Sequence, residues 1–249
     1  LVADANQLYL FIDGQLWISD GTEDGTVLLS VPLPNLDLRG VYAAENQIFF
    51  FSEPSYGTPE IELWSSNGTV DGTLLIKSIE VRNHFSAVIG AKVGGNLIYF
   101  AAMEDGHGTE LWVSDGTFDG TKMVKDINLA GDGVFDFSRT NFFNYYLDGK
   151  LYFRATSSFD DPELWVSDGT TLGTYQVSDI NVRPRGSSPR LYTQFQDKLF
   201  FAATADNNKG DLWVYSPESG AQQLYDNVVD ELMPNAGSGV VSVLTTDSA

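Results

Sequence analysis

Acid–base chemistry in this sequence rests chiefly on carboxylates: there is no cysteine, and only two histidines, His84 and His107, stand among 34 Asp and Glu residues. A catalytic pair of carboxylates must be unlike, one giving a proton while the other takes it or attacks. In a repetitive sequence such a pair should therefore break the repeat. The acids that do so are Glu104, Asp105, Asp160, Asp161, Asp230 and Glu231, and they lie in loops rich in other polar residues, where an exposed acid usually meets only solvent. Neither histidine has a serine or acid at a recognisable spacing, so no nucleophile–base–acid triad is read. The expectation is no enzyme, with no catalytic, cofactor-binding or metal residue assigned.

Two binding chemistries compete with simpler explanations. Asp20 with Asp24, Asn67 with Asp71, and Asp115 with Asp119 each set two oxygen donors four residues apart in a glycine-rich turn, as calcium would require. The spacing is not that of an EF-hand loop, the fourth copy has Leu172 in the second place, and a turn that caps itself explains the first acid; no cofactor is expected. Asp132-Gly133-Val134-Phe135-Asp136 is similar and is read as a solvated loop. Repeated tryptophans could offer rings for sugar stacking, but each sits mid-strand beside a leucine, where packing wants a large apolar side chain. The better glycan candidates, Tyr56, Phe159, Asn207 and Asn208, are not repeated. Asn67-Gly68-Thr69 has the form of a glycosylation acceptor, yet it is also one copy of the repeated turn.

A single repeat places all these residues. The five tryptophans recur in Gln15-Leu16-Trp17, Glu62-Leu63-Trp64, Glu110-Leu111-Trp112, Glu163-Leu164-Trp165 and Asp211-Leu212-Trp213, at spacings of 47, 48, 53 and 48. After the first four comes one turn: Asp20-Gly21-Thr22 then Gly25-Thr26, Asn67-Gly68-Thr69 then Gly72-Thr73, and the same at Asp115 to Thr121 and Asp168 to Thr174. The fifth copy reads Ser216-Pro217-Glu218-Ser219-Gly220 instead. Ahead of each tryptophan lies a turn and an aromatic strand, as in Asn46-Gln47-Ile48-Phe49.

The apolar stretches are short, rich in Val, Ile, Tyr, Phe and Trp, and broken every eight to twelve residues or so by Gly, Asn or Asp, which is a strand pattern. In the fourth unit the expected strands are Phe142 to Leu147, Leu151 to Ala155, Glu163 to Ser167 and Tyr175 to Ile180, the first two joined by the tight hairpin Asp148-Gly149. Four antiparallel strands in roughly 50 residues, apolar on both faces, is the arithmetic of a propeller blade. The fold expected is all-β: a β-propeller of four-stranded antiparallel blades, five in number, in one domain spanning 1–249. Residues 236–249 would supply either a closing strand or the start of a further blade, since Val240 to Thr246 resembles a first strand.

The phrase Glu-Leu-Trp-x-x-Asp-Gly-Thr-x-x-Gly-Thr, complete at Glu110 to Thr121 and Glu163 to Thr174, resembles the ELWxxDGT repeat of large bacterial secreted or surface proteins. Gln15 and Asn67 depart from it, and the fifth copy keeps only Asp211-Leu212-Trp213, as terminal repeats often do. The turn is also similar to the Asp-box hairpin of sialidases, a structural element remote from their catalytic centre. The resemblance implies an extracellular or cell-surface β-propeller without an assigned activity.

Composition narrows the partners. With 14 Lys and Arg against 34 Asp and Glu the formal charge is -20, which disfavours nucleic acid. Apolar runs of about five residues are far short of the roughly 20 that span a bilayer. No secretion signal begins the sequence, so mature protein or a fragment is expected. The function expected is a non-catalytic binding or scaffolding module in adhesion or assembly, its protein or glycan partner unnamed, with a carbohydrate-binding lectin and a propeller-type glycoside hydrolase as alternatives.

Overall fold

The computed structural model describes residues 1–4, 7–29, 37–53, 60–80, 91–134, 144–158, 161–182, 186–205, 210–226, 229, 231–235 and 240–244. Among them there is no helix, and none therefore long and apolar enough to cross a membrane. The strands form five four-stranded antiparallel sheets, each built in chain order. Blade 1 holds β1 (Val2–Ala3), β2 (Leu8–Ile12), β3 (Gln15–Ser19) and β4 (Val27–Leu28); blade 2 holds β5 (Asp37–Ala43), β6 (Ile48–Glu53), β7 (Glu60–Ser66) and β8 (Thr73–Glu80). Blade 3 runs through β9 (Ala91–Gly94), β10 (Leu97–Glu104), β11 (Gly108–Ser114) and β12 (Lys122–Lys125). Blade 4 comprises β13 (Asn144–Leu147), β14 (Lys150–Ala155), β15 (Glu163–Ser167) and β16 (Tyr175–Ser178), and blade 5 β17 (Arg190–Phe195), β18 (Lys198–Ala203), β19 (Asp211–Ser216) and β20 (Gly220–Tyr225). The architecture is the all-β propeller class with five four-stranded blades.

Burial on both faces explains the unalternating strands. Every residue of β6, Ile-Phe-Phe-Phe-Ser-Glu, is buried, as is every residue of β15. The register is common to the blades: the tryptophan of the third strand stands opposite an apolar residue of the second, in the pairs Leu10 with Trp17, Phe50 with Trp64, Phe100 with Trp112, Phe153 with Trp165 and Phe201 with Trp213. A bulge between the leucine and the tryptophan re-aims the outer strand in blades 2, 4 and 5. The Asp148-Gly149 hairpin takes φ values of 48° and 78°, the doubly positive turn expected of that pair.

The chain divides into two compact units, Leu1–Met123 and Val124–Ala249. In the first, Tyr9, Leu16 and Leu29 of blade 1 pack with Ile48 and Phe50 of blade 2, and Phe51, Leu63 and Ile76 of blade 2 with Phe100 and Trp112 of blade 3. In the second, Tyr152 and Leu164 of blade 4 pack with Leu199 and Phe201 of blade 5. Strand β16 stops at Ser178, short of the expected Ile180, because the amides that follow bond to a carboxylate instead of to the ladder. Of the expected first strand of blade 4, residues 142–143 lie outside the described residues. The Val240 segment forms β22 (Val240–Leu244), paired antiparallel with β21 (Glu231–Asn235) in a separate two-stranded sheet, and β21 lies beside β17.

Candidate functional site

The repeated turn is the most conspicuous polar arrangement, and its bonds close on themselves. In blade 3, Asp115 Oδ1 accepts from Thr117 N at 2.9 Å and from Thr117 Oγ1 at 2.7 Å. The Thr117 hydroxyl oxygen in turn accepts from Gly120 N at 3.0 Å, Thr121 Oγ1 donates to Thr117 O at 2.6 Å, and Gly116 N donates to Ser114 Oγ at 3.1 Å. The same bonds recur around Asp20, Asn67 and Asp168. The second glycine of the motif is a matter of space: a Cβ on Gly120 would lie 2.0 Å from Asp115 Oδ1. Donation from the threonine hydroxyl, then from its amide, holds the Asp20 and Asp168 carboxyls below the usual range. The serine before each acid (Ser19, Ser66, Ser114, Ser167) is a full member of the network that sequence reasoning passed over, although its repetition was visible. As for calcium, among the described residues no three His, Asp or Glu side chains stand together as a metal site. Asn67 is exposed, and its amide oxygen serves the turn.

The turns of blades 2, 3 and 4 are each also gripped by the blade before them. Gln7 Nε2 donates to Asn67 O at 3.2 Å, and Gln47 Nε2 to Asp115 O at 3.1 Å. Lys77 of β8 lies over the Trp112 ring, 4.8 Å from its centroid, and donates to Thr121 O; Lys125 lies 5.8 Å from the Trp165 centroid and donates to Thr174 O. Trp112 and Trp165 are only 5% and 6% exposed, so their faces serve packing and not a ligand. Trp64 stacks on Phe50 at 6.0 Å, while Trp17 and Trp213 are half-buried. The two lysines were not singled out in the sequence; their common place, four residues after the last threonine of the turn, is the signal.

Glu53, Glu110, Glu163 and Asp211 are all buried carboxylates, and the bonds around Glu163 tie two blades together. Glu163, 1% exposed at the start of β15, accepts from Ile180 N, Asn181 N, Ser187 N and Ser187 Oγ. Burial pushes its carboxyl up to about 7 against the pull of these four donors. Asn181 Nδ2 donates to Gly186 O, and Thr204 N to Ser187 O, so the cluster ties the connection between blades 4 and 5 to both of them. Being enclosed, it is a latch and offers no nucleophile to a substrate. The neighbouring Asp161 carboxyl is raised by burial and by the negative charge of Asp179.

The other residues singled out in the sequence do not converge. Glu104 and Asp105 are exposed at the β10–β11 hairpin, and His107 N donates to Glu104 O there. Of the stretch that begins at Asp132, Val134 is buried and bridges to Ala155, so this residue is packed and not solvated. His84, Asp160, Asp230, Tyr56, Phe159, Asn207, Asn208, Phe135 and Asp136 lie outside the described residues, as does the side chain of Glu231.

No family model matches the sequence, and no curated protein matches it. Solved structures do share the fold. A puromycin hydrolase S511A mutant is 11% identical with a TM-score of 0.55, covering 96% of this chain and 41% of its own. A prolyl endopeptidase, described with a role for inter-domain dynamics in catalysis and specificity, is 11% identical with a TM-score of 0.54, over 94% and 37%. A Mycobacterium tuberculosis puromycin-hydrolyzing peptidase is 11% identical with a TM-score of 0.52, over 88% and 37%. The chain thus spans about two fifths of the length of these proteins. They correct the expectation of a non-catalytic binding or scaffolding module in adhesion or assembly, and with it the lectin and glycoside hydrolase alternatives: propellers of this form are found within puromycin hydrolases and prolyl endopeptidases. The sequence misled because a blade motif records how strands pack and is silent about what the blades accompany.

Proposed function

We propose that the chain is a peptidase-type propeller domain, receiving and orienting peptide for a hydrolytic centre that its own residues do not supply. The observation that carries this reading is the likeness, over 88–96% of the chain, to puromycin-hydrolysing and prolyl-specific peptidases in which the matched part is 37–41% of the molecule. Among the described residues, the polar groups support the second half: the turn acids are spent on their own turns, and Glu163 with Ser187 is sealed inside the structure. A propeller suits such work because its framework is rigid while its loops vary. Kinship with the ELWxxDGT repeat proteins, and a place outside the cell, belong to the same proposal and rest on Glu110 to Thr121 and Glu163 to Thr174.

The test pairs a binding and a turnover measurement. Fluorescence anisotropy with labelled unstructured peptides is expected to show saturable binding, while puromycin and prolyl peptide substrates are not turned over and a serine-directed fluorophosphonate probe labels no residue. Failure to bind any peptide refutes the peptidase-type role. Turnover with labelling of a serine refutes the assignment of catalysis elsewhere.

A further inference from the structure

Asn67-Gly68 is the one Asn-Gly pair in the sequence, and it stands where the three other copies of the turn have Asp20-Gly21, Asp115-Gly116 and Asp168-Gly169. An asparagine followed by glycine carries its own nucleophile. The Gly68 amide nitrogen can attack the Asn67 side-chain carbonyl and close a five-membered ring, and no Cβ on the glycine obstructs the approach.

The turn sets a partner on each atom that this attack changes. Negative charge would develop on Asn67 Oδ1, and that oxygen already accepts from Thr69 N at 3.1 Å and from Thr69 Oγ1 at 2.7 Å. The peptide that supplies the nucleophile is polarised from its other end: Gln7 Nε2 donates to Asn67 O at 3.2 Å, which draws electrons from Gly68 N and makes its proton more acidic. Gln7 is fixed in this place, since Nε2 also donates to the hydroxyl of fully buried Tyr9 at 2.8 Å. Gly68 N donates to Ser66 Oγ at 3.1 Å, and Ser66 Oγ lies 2.7 Å from Thr73 Oγ1, a path of hydroxyls for the departing proton. Asn67 itself is exposed, so water reaches it and ammonia can leave.

We propose that Asn67 is a site of self-modification, converted to aspartate through a cyclic imide with Gly68. Hydroxide takes the Gly68 amide proton by way of the Ser66 and Thr73 hydroxyls, and the nitrogen bonds to Asn67 Cγ. The Cγ–Nδ2 bond then breaks, and Nδ2 leaves as ammonia with a proton from water. Water next adds to Cγ, the bond from Gly68 N to Cγ breaks, and the peptide regains its proton. The sum is one water consumed and one ammonia released, with no change of oxidation state. Opening the ring at the main-chain carbonyl instead would give isoaspartate and insert a methylene into the backbone, which the pairing of Ser66 with Thr73 and of Ser65 with Leu74 resists. Aspartate fits without movement, because Asp20, Asp115 and Asp168 make the same two bonds at 2.9 Å and 2.7 Å. The conversion completes the fourth acidic turn and adds a negative charge to a loop that already holds Asp71.

Peptide mapping by mass spectrometry, after the folded protein has been held at mildly alkaline pH in heavy-oxygen water, tests this. Wild type is expected to lose ammonia at Asn67, gain one heavy oxygen there and yield aspartate as the main product. Its rate should rise with pH and be no slower than in the chain unfolded by urea, where both openings of the ring occur. Gln7→Ala and Thr69→Val, each removing one bond to the reacting atoms, should slow the conversion by about three- to tenfold, the effect of losing one exposed hydrogen bond. Thr69→Ser keeps the hydroxyl and should convert as wild type does. Thermal melts and circular dichroism establish that the variants fold, and the comparison of folded with unfolded wild type needs no variant at all. A folded chain that keeps its amide while the unfolded chain loses it, isoaspartate as the main product of the folded chain, or Gln7→Ala and Thr69→Val converting as fast as wild type each overturns the proposal.

Discussion

Replacing Asp168 by alanine removes the acceptor of two hydrogen bonds, from Thr170 N at 2.9 Å and from Thr170 Oγ1 at 2.7 Å, and leaves the rest of the turn to find water. Both bonds are exposed, so each contributes near the lower part of the usual range, and the loss is about 1–2 kcal/mol. For a chain of this size a kcal/mol moves the melting temperature by about 2–4 °C, which puts Asp168→Ala about 2–8 °C below wild type. The decisive comparison is Asp168→Asn. Blade 2 already uses Asn67 in this place, its amide oxygen accepting from Thr69 N at 3.1 Å and Thr69 Oγ1 at 2.7 Å, so geometry and not charge is what the turn requires. Asp168→Asn should cost less than half of what Asp168→Ala costs. The pH dependence follows from the same bonds: the Asp168 carboxyl is held below its ordinary range, so its contribution is present above about pH 4 and is lost as pH falls through the folded value, and the Asn variant lacks that loss. Differential scanning calorimetry of the three proteins, with calcium and with chelator, decides the matter. An Asn variant as unstable as the Ala variant, or a wild type whose melting temperature drops in chelator, would show that the carboxylate serves a cation.

Trp112→Ala should cost about 3–5 kcal/mol, since a ring 5% exposed and covered by Lys77 leaves a cavity, whereas Trp17→Ala, half-buried, should cost clearly less; equal losses in urea unfolding would disprove the packing role. Gly116→Ala meets both a φ of 90° and Gln47 Oε1 at 2.6 Å, while Gly21→Ala at φ 93° meets nothing, so the first should be more destabilising and Gln47→Ala should erase most of the difference in a double-mutant cycle. Glu163 has its carboxyl raised from 4.5 to about 7, so the folded chain holds that proton more firmly than the unfolded chain does. Stability should therefore be greatest below about pH 4.5 with respect to this group and fall as pH rises towards 7, by at most ~1.4 kcal/mol per pH unit. Glu163→Gln should flatten that slope in melts taken across the range, and an unchanged slope refutes the assignment.

Much of the fold was legible because a propeller blade is a local object. Strand, turn and strand again are close in sequence, and their signals, an Asp-Gly pair, a glycine three places past a threonine, an apolar run between polar turns, act within about ten residues. Hence Glu163–Ser167 was read at both ends, and the fivefold Leu-Trp phrase led to five four-stranded sheets. The self-capping of the turns was legible for the same reason: Asp115 and Thr117 are two residues apart.

What tertiary structure decided is whatever depends on residues some 20 to 70 positions apart. Gln47 reaches Asp115 across 68 residues, and Lys77 and Lys125 find rings and carbonyls in the next blade, because stacking of sheets sets those distances and no local pattern encodes them. The same holds for Glu163. Its motif position is that of exposed Gln15 and half-buried Glu62 as well as of buried Glu110 and Asp211, and the four donors from Ile180, Asn181 and Ser187 meet it only in the folded chain, where burial lifts its pKa against their pull. Leu224 and Ile12 look in sequence like any other apolar strand residue, yet they are 52% and 46% exposed while Leu16 and Phe50 are fully buried; burial is a property of neighbours, and no local pattern reports it.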